Sequence, residues 1–206
     1  WSSDVCSSDL RPEAQWSCDP PGPAAEFGTL VHALVAAGVS GSVERTNNVA
    51  AASVAQTVLE WFGGIRDTHA TWIAEPAYVL SVTGGAEHVG NNIGRNYPRL
   101  ADHQVAGSAD IVGLHGGRAV VYDVKTGRRE NVDVASENLQ LRTLALAAHH
   151  AHGVDRVRVG LVFPTTSGVV VDEHEYDSYD LAGWQAELAA LVESVPSSRP
   201  NPGKKQ

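Results

Sequence analysis

Apolar residues recur along this chain with two periods, one helical and one alternating, and the changes between them divide it into elements. Residues 25–37 carry small and apolar side chains at helical spacing, with Leu30, Leu34 and Ala37 on one side and Gly38 placed as a C-cap. Asn47 or Asn48 caps a second helix that reaches Trp61 and Phe62, where Gly63 and Gly64 predict its stop. Residues 72–82 read as a strand, and Pro76 makes it an edge or a strand start. Residues 87–103, rich in Gly and Asn, read as an irregular loop. Two apolar runs then flank Gly116-Gly117, and a helix follows over 136–152, capped by Ser136 and closed by Gly153. Strands over 156–163 and 169–175 surround a Thr-Thr-Ser-Gly turn, and a last helix over 181–195 directs Leu181, Trp184, Leu188 and Leu191 inward. The order predicts an α/β fold with a mixed central β-sheet flanked by helices.

The glycine pair fixes a register. A two-residue Gly-Gly loop favours a type I′ turn, which pairs His115 with Arg118 and, five rungs further out, Asp110 with Asp123. Directly opposed Cβ atoms lie roughly 5 Å apart, and two carboxylates that close repel unless a cation or proton comes between them. Lys125 is two residues beyond Asp123, so it points to the same side as both aspartates. An exposed edge strand with a solvated ion pair is the plain alternative. Ile111, Val112, Leu114, Ala119, Val120, Val121 and Val124 weigh against it, because a strand apolar on both faces does not carry idle carboxylates. The constellation reads as a metal-dependent phosphodiesterase centre.

The runs Gly107-Ser-Ala-Asp110-Ile-Val and Val121-Tyr-Asp123-Val-Lys125-Thr-Gly127, with Gly28-Thr-Leu-Val-His32 upstream and Gln140-Leu-Arg-Thr-Leu144 downstream, resemble the PD-(D/E)XK nuclease superfamily, nearest its RecB-like branch. The resemblance spans about residues 22–195 and implies a restriction-endonuclease-like core. It further implies that His32, Asp110 and Asp123, with the Val124 carbonyl, are metal ligands, and that Lys125 orients or activates the attacking water and stabilises phosphate charge. Gln140 would position Lys125 or the substrate, and Glu75 matches a glutamate of the first core strand near the active site, against the alternative of a solvated edge charge. Two positions depart from the pattern: Leu144 stands in place of the usual Tyr, and Ala36 in place of a Glu four residues after the histidine. Oxygen-rich ligands favour Mg²⁺ or Mn²⁺ over Zn²⁺. A charged Lys125 acts as an electrostatic clamp, whereas a base role requires its pKa to fall well below about 10, and the sequence leaves both open.

Size and composition complete the expectation. With 206 residues and 43% apolar content, the chain forms one sizeable core, placed at 22–195 between an N-terminal stretch, 1–21, and a polar tail, 196–206. The first ten residues look like translated sequencing-adapter DNA and receive no role. No apolar run nears the roughly 20 residues of a membrane span, which reads as a cytoplasmic protein without membrane partners. Cys6 and Cys18 do not make a disulfide framework. The Pro-x-Pro-Gly of the tail leads, in many RecB-like nucleases, to an iron–sulfur cysteine cluster; no such cysteine follows here, so the cluster is absent or the chain truncated.

The balance of 24 acidic against 15 basic residues, −9 overall, is poor for holding a polyanion, so a local rim is expected from Arg95, Arg99, Arg128, Arg129 and Arg142. His149, His150 and His152 read as solvent-facing or capping residues at a helix end and not as a zinc site. The expected function is DNA cleavage, exonuclease preferred, on single strands or duplex ends. Repair, recombination, phage replication or CRISPR adaptation are the expected settings, with a recombination, helicase or adaptation protein as partner. A non-catalytic DNA-binding or complex-forming module that kept the fold, and a different metal hydrolase on a coincidental hairpin, are the rivals.

Overall fold

The Gly116-Gly117 pair adopts positive φ at both positions, 55° and 76°, as a type I′ turn requires, and it closes the hairpin of strands β5 (Ile111–His115) and β6 (Arg118–Val124) with His115 opposite Arg118. The computed structural model describes residues 22–94 and 96–194. In chain order it contains helices α1 (Pro23–Val39) and α2 (Val49–Ile65), then strands β1 (Thr71–Ala74), β2 (Pro76–Ser81), β3 (Ala86–Asn91) and β4 (Gln104–Ser108) ahead of the hairpin. Helix α3 (Leu139–His152), strands β7 (Arg156–Thr165) and β8 (Gly168–Asp177), and helix α4 (Ser178–Ser194) follow it.

Five strands form the central sheet in the order β1-β5-β6-β7-β8. Only β6 and β7 run parallel, because α3 carries the chain from the end of one back to the start of the other. Both faces are covered, and side-chain alternation divides the core accordingly. Ile111, Val120, Tyr122 and Val162 face α1 and α2, where they meet Val31, Val35, Val58 and Phe62. Val112, Val121, Val159 and Leu161 face α3 and α4, where they meet Leu141, Ala145, Leu181 and Trp184. The mixed sheet flanked by helices is therefore the expected fold class.

A second sheet, β3-β2-β4, is joined to the first at two chain crossings. One is Glu75, between β1 and β2; the other is Ala109-Asp110, between β4 and β5. They are bonded to each other: Glu75 N–H donates to the Asp110 carbonyl at 2.8 Å, and Ala109 N–H to the Pro76 carbonyl at 3.1 Å.

Several local expectations are corrected. Residues 72–82 are two strands of different sheets, not one, because Glu75 takes a left-handed conformation with φ 44° and turns the chain. Residues 86–91 are a strand and not loop, paired along β2. Gly38 lies inside α1, where a Cβ would come within 2.5 Å of Leu59; it permits contact with α2, and the helix ends at Ser40. Helix α2 continues through Gly63-Gly64 to Ile65, which packs on the core with Phe62. The inward stripe of α1 is Val31, Leu34, Val35 and Val39, while Leu30 and Ala37 are only partly covered. Asn138, not Ser136, caps α3 by accepting the Leu141 N–H. Leu191 is half exposed and not inward-packed. Among the described residues, no helix is long and apolar enough to cross a membrane.

Candidate functional site

The register that pairs Ile111 with Tyr122 carries Asp110 and Asp123 to the same end of the hairpin, beside the seam between the two sheets. Asp123 belongs to a strand buried on both faces and is 4% exposed, the one charged or polar residue among the buried described residues. Its neighbours Tyr122 and Val124 point to the α1–α2 layer, so Asp123 itself points to α3. There Gln140, held in the first turn of α3 by the Asn138 cap, donates to Asp123 Oδ1 at 3.0 Å. Lys125, on the same face, places Nζ 2.6 Å from Asp123 Oδ2 and 3.2 Å from Gln140 Oε1.

Asp110 is held differently. Its Oδ2 accepts the Val124 backbone N–H at 2.6 Å, and its Oδ1 lies 2.7 Å from Nδ1 of His32, which α1 extends over the sheet end. Gly28, one turn before His32, leaves α1 close to Thr126: a Cβ there would approach the threonine hydroxyl to 3.1 Å. The structure thus brings His32, Asp110, Asp123, Lys125 and Gln140 together. Glu75 stands at their edge through its backbone bond to Asp110, and it is itself held by the Asn92 N–H at 2.9 Å.

Each carboxylate has its own cation. Burial alone would lower the His32 pKa, but the Asp110 charge and hydrogen bond outweigh it and raise it to about 8. Burial pushes the Asp123 carboxyl upward, the Asp110 charge adds to this, and Lys125 opposes both. Burial and Asp110 likewise raise Glu75, against His32. Lys125 is the partner found for Asp123 Oδ2 among the described residues, and a carboxylate oxygen has room for a second, so that buried oxygen keeps an acceptor direction.

An oxygen of this kind suits a hard divalent cation, as does a second carboxylate on the same face. The side chains are nevertheless turned toward one another: among the described residues, no three His, Cys, Asp or Glu side chains converge as a metal-ligand group. His32 meets Asp110 while Asp123 meets Lys125, because the ring and the ammonium supply the positive charge that the paired carboxylates require.

The arginines expected at a phosphate rim are unequal. Arg99 and Arg128 are exposed. Arg129 lies over the Phe163 ring at 5.7 Å. Arg142 is stacked on Trp184 at 3.9 Å and paired with Glu187 at 3.3 Å, which ties it to the α3–α4 contact. Arg95, Cys6, Cys18 and the polar tail lie outside the described residues. Of the histidines near the end of α3, His150 faces Gln185 at 2.8 Å and His152 faces the Tyr78 hydroxyl at 2.9 Å. Sequence reasoning missed the Val124 N–H that fixes Asp110, the Asn138 cap that seats Gln140, and the left-handed pair Glu75 and Asn92. An Asn two residues before Gln140 was a legible cap signal for the second of these.

The profile of the PD-(D/E)XK nuclease superfamily matches residues 9–205. No curated protein matches the chain. Among solved structures it is similar to one titled "Crystal structure of SSO0001", at 9% identity over 83% of this chain and 89% of that one, with a TM-score of 0.32.

Proposed function

The chain belongs to the PD-(D/E)XK nuclease superfamily, and from that premise we propose that it is a Mg²⁺- or Mn²⁺-dependent deoxyribonuclease, of RecB-like type and exonucleolytic. The observation that carries this reading is the buried Asp123 carboxylate, held between Lys125 and Gln140 beside a second carboxylate, Asp110. A buried charge of that kind is destabilising, and a fold does not keep it without a use for it.

In this reading Asp110, Asp123, His32 and the Val124 carbonyl would hold the ion, with Glu75 at the margin. A bound divalent cation would neutralise phosphoryl charge and lower the pKa of water. Lys125 presents a compact cation, partly exposed, to the non-bridging oxygens of the phosphate, where negative charge grows as water attacks phosphorus. Gln140 donates to Asp123 and accepts from Lys125, so one amide fixes the spacing of the carboxylate and the ammonium. The Val124 N–H holds the Asp110 carboxylate in place from the opposite strand.

A non-catalytic module remains the second reading. The net charge of −9 and the engagement of Arg142 by Trp184 and Glu187 favour it, since both weaken the grip on a polyanion. Linear and circular single-stranded DNA of one sequence, incubated with Mn²⁺, separate the possibilities. An exonuclease degrades the linear form alone, an endonuclease opens the circle, and a binding module leaves both intact.

A further inference from the structure

A groove of about 640 Å³ lined by residues of α1, β1 and the end of β3 is not used by the chemistry above. Ala36 and Ala37 of α1 line it, together with Trp72, Val43, Asn91 and Asn92. It adjoins the site through the chain itself. Ala36 is about one helical turn beyond His32, Ala74 lines the groove and precedes Glu75, and Asn92 donates its N–H to the Glu75 carbonyl at 2.9 Å.

Among the described residues, the only charged side chain lining it is Glu44, which repels phosphate. A nucleic-acid backbone therefore does not run through this groove. The other polar groups are neutral amides and hydroxyls set around alanine methyls; the Ser42 hydroxyl already donates to the Ala37 carbonyl at 3.0 Å and the Asn91 oxygen faces His88, which leaves the Asn92 side chain, the Asn91 amide N–H groups and the Ser40 hydroxyl to face a ligand. Val43 stands at the edge 89% exposed, an apolar side chain with little to cover it. Neutral hydrogen-bonding edges with flat apolar faces are the chemistry of a nucleobase.

We propose that this groove takes one unpaired nucleobase of a strand whose phosphate lies at Lys125. The proposal rests on the nuclease reading and extends it. A base in a duplex has its edge paired and its faces stacked, and it enters such a pocket only after both are given up. Asn92 reads the freed edge, and Asn91, whose amide oxygen faces His88 Nε2 at 2.7 Å, adds its amide N–H groups, as amide side chains read bases elsewhere. Asn92, held left-handed at φ 51°, projects its amide from a turn that also carries the Glu75 bond.

The test compares two labelled strands of equal length and charge, one carrying bases and one made entirely of abasic units, by fluorescence anisotropy in chelating buffer. The protein should bind the base-carrying strand about tenfold more tightly. Ala37→Leu, which fills the groove from a helix position where leucine is well tolerated, should abolish that preference, and Asn91→Ala should reduce it. If Ala37→Leu melts early, the exposed Asn91→Ala variant decides. Equal binding of the two strands by the unaltered protein, or an undiminished preference in the variants, overturns the proposal. The two readings fail separately: cleavage of DNA with no preference for bases sinks the groove alone, whereas a base preference without any Mn²⁺-dependent cleavage sinks the nuclease reading and leaves the groove standing.

Discussion

His32 and Asp110 are 78 residues apart in the chain and meet at 2.7 Å, a contact that fixes α1 to the seam between the two sheets. The Asp110 charge offsets the burial of the ring and holds the His32 pKa at about 8, above the ordinary 6.5. A raised histidine stabilises the fold fully below 6.5, and that contribution is lost as pH rises through about 8. The pair is expected to add roughly 2 kcal/mol at low pH. Asp110→Asn should let burial prevail and bring the His32 pKa to 6.5 or lower, measured by NMR titration. In urea melts the unaltered protein should lose stability between about pH 6 and pH 9, and Asp110→Asn should lose less.

Asp123 behaves in the opposite sense to an ordinary paired carboxylate. Burial and the Asp110 charge raise its pKa from 3.8, so it favours the fold at pH below 3.8 and that contribution is lost as pH rises through its elevated folded value. Asp123→Asn should therefore raise the melting temperature at neutral pH in metal-free buffer. Lys125 keeps Gln140 as a partner in the variant. A lower melting temperature than the unaltered protein at pH 7 would contradict this.

Lys125→Ala should remove turnover while sparing most metal binding, because the ammonium belongs to phosphate chemistry and not to the ion's shell. Lys125→Arg should also be poor, since a broad planar guanidinium does not fit the 2.6 Å approach to Asp123 beside Gln140. Calorimetric titration with Mn²⁺ and single-turnover cleavage, made on the same preparations, check both halves. Full activity in either variant would make Lys125 structural.

Gly160 lies opposite Tyr122 across the parallel pair of β6 and β7, and a Cβ there would come within 2.7 Å of the tyrosine ring. That ring is held by a T-shaped contact with Trp61, centroids 4.9 Å apart, and by Glu173 at its hydroxyl, 2.8 Å away. Gly160→Ala should destabilise the fold by about 1–3 kcal/mol in urea melts.

The hairpin was legible because its register is set locally: two glycines determine the turn, and counting outward brings the aspartates opposite each other. The helices were legible in kind but not in extent. Gly38 and Gly63-Gly64 signal stops, yet the contact of Leu59 with α1 and the burial of Phe62 outweigh the local preference. The break at Glu75 was half legible: Pro76 marks a strand start, but apolar residues on both sides of Glu75-Pro76 read as one strand, and only pairing with two different sheets divides them. The site residues were legible in the chain, as was the approach of Gln140 to Lys125, whereas the partners of the two carboxylates were not. The sequence carries no mark that Asp110 faces His32 and the Val124 amide while Asp123 faces Lys125 and Gln140, because those contacts depend on how α1 and α3 pack.

The most direct test of the central claim is cleavage of end-labelled single-stranded and duplex DNA in Mn²⁺, by the unaltered protein beside Asp123→Ala. Metal-dependent cleavage by the first, abolished by chelator, and none by the second is expected, with both proteins folded by circular dichroism. Equal cleavage by the two, or none by the unaltered protein on any DNA with Mn²⁺ or Mg²⁺, would contradict it.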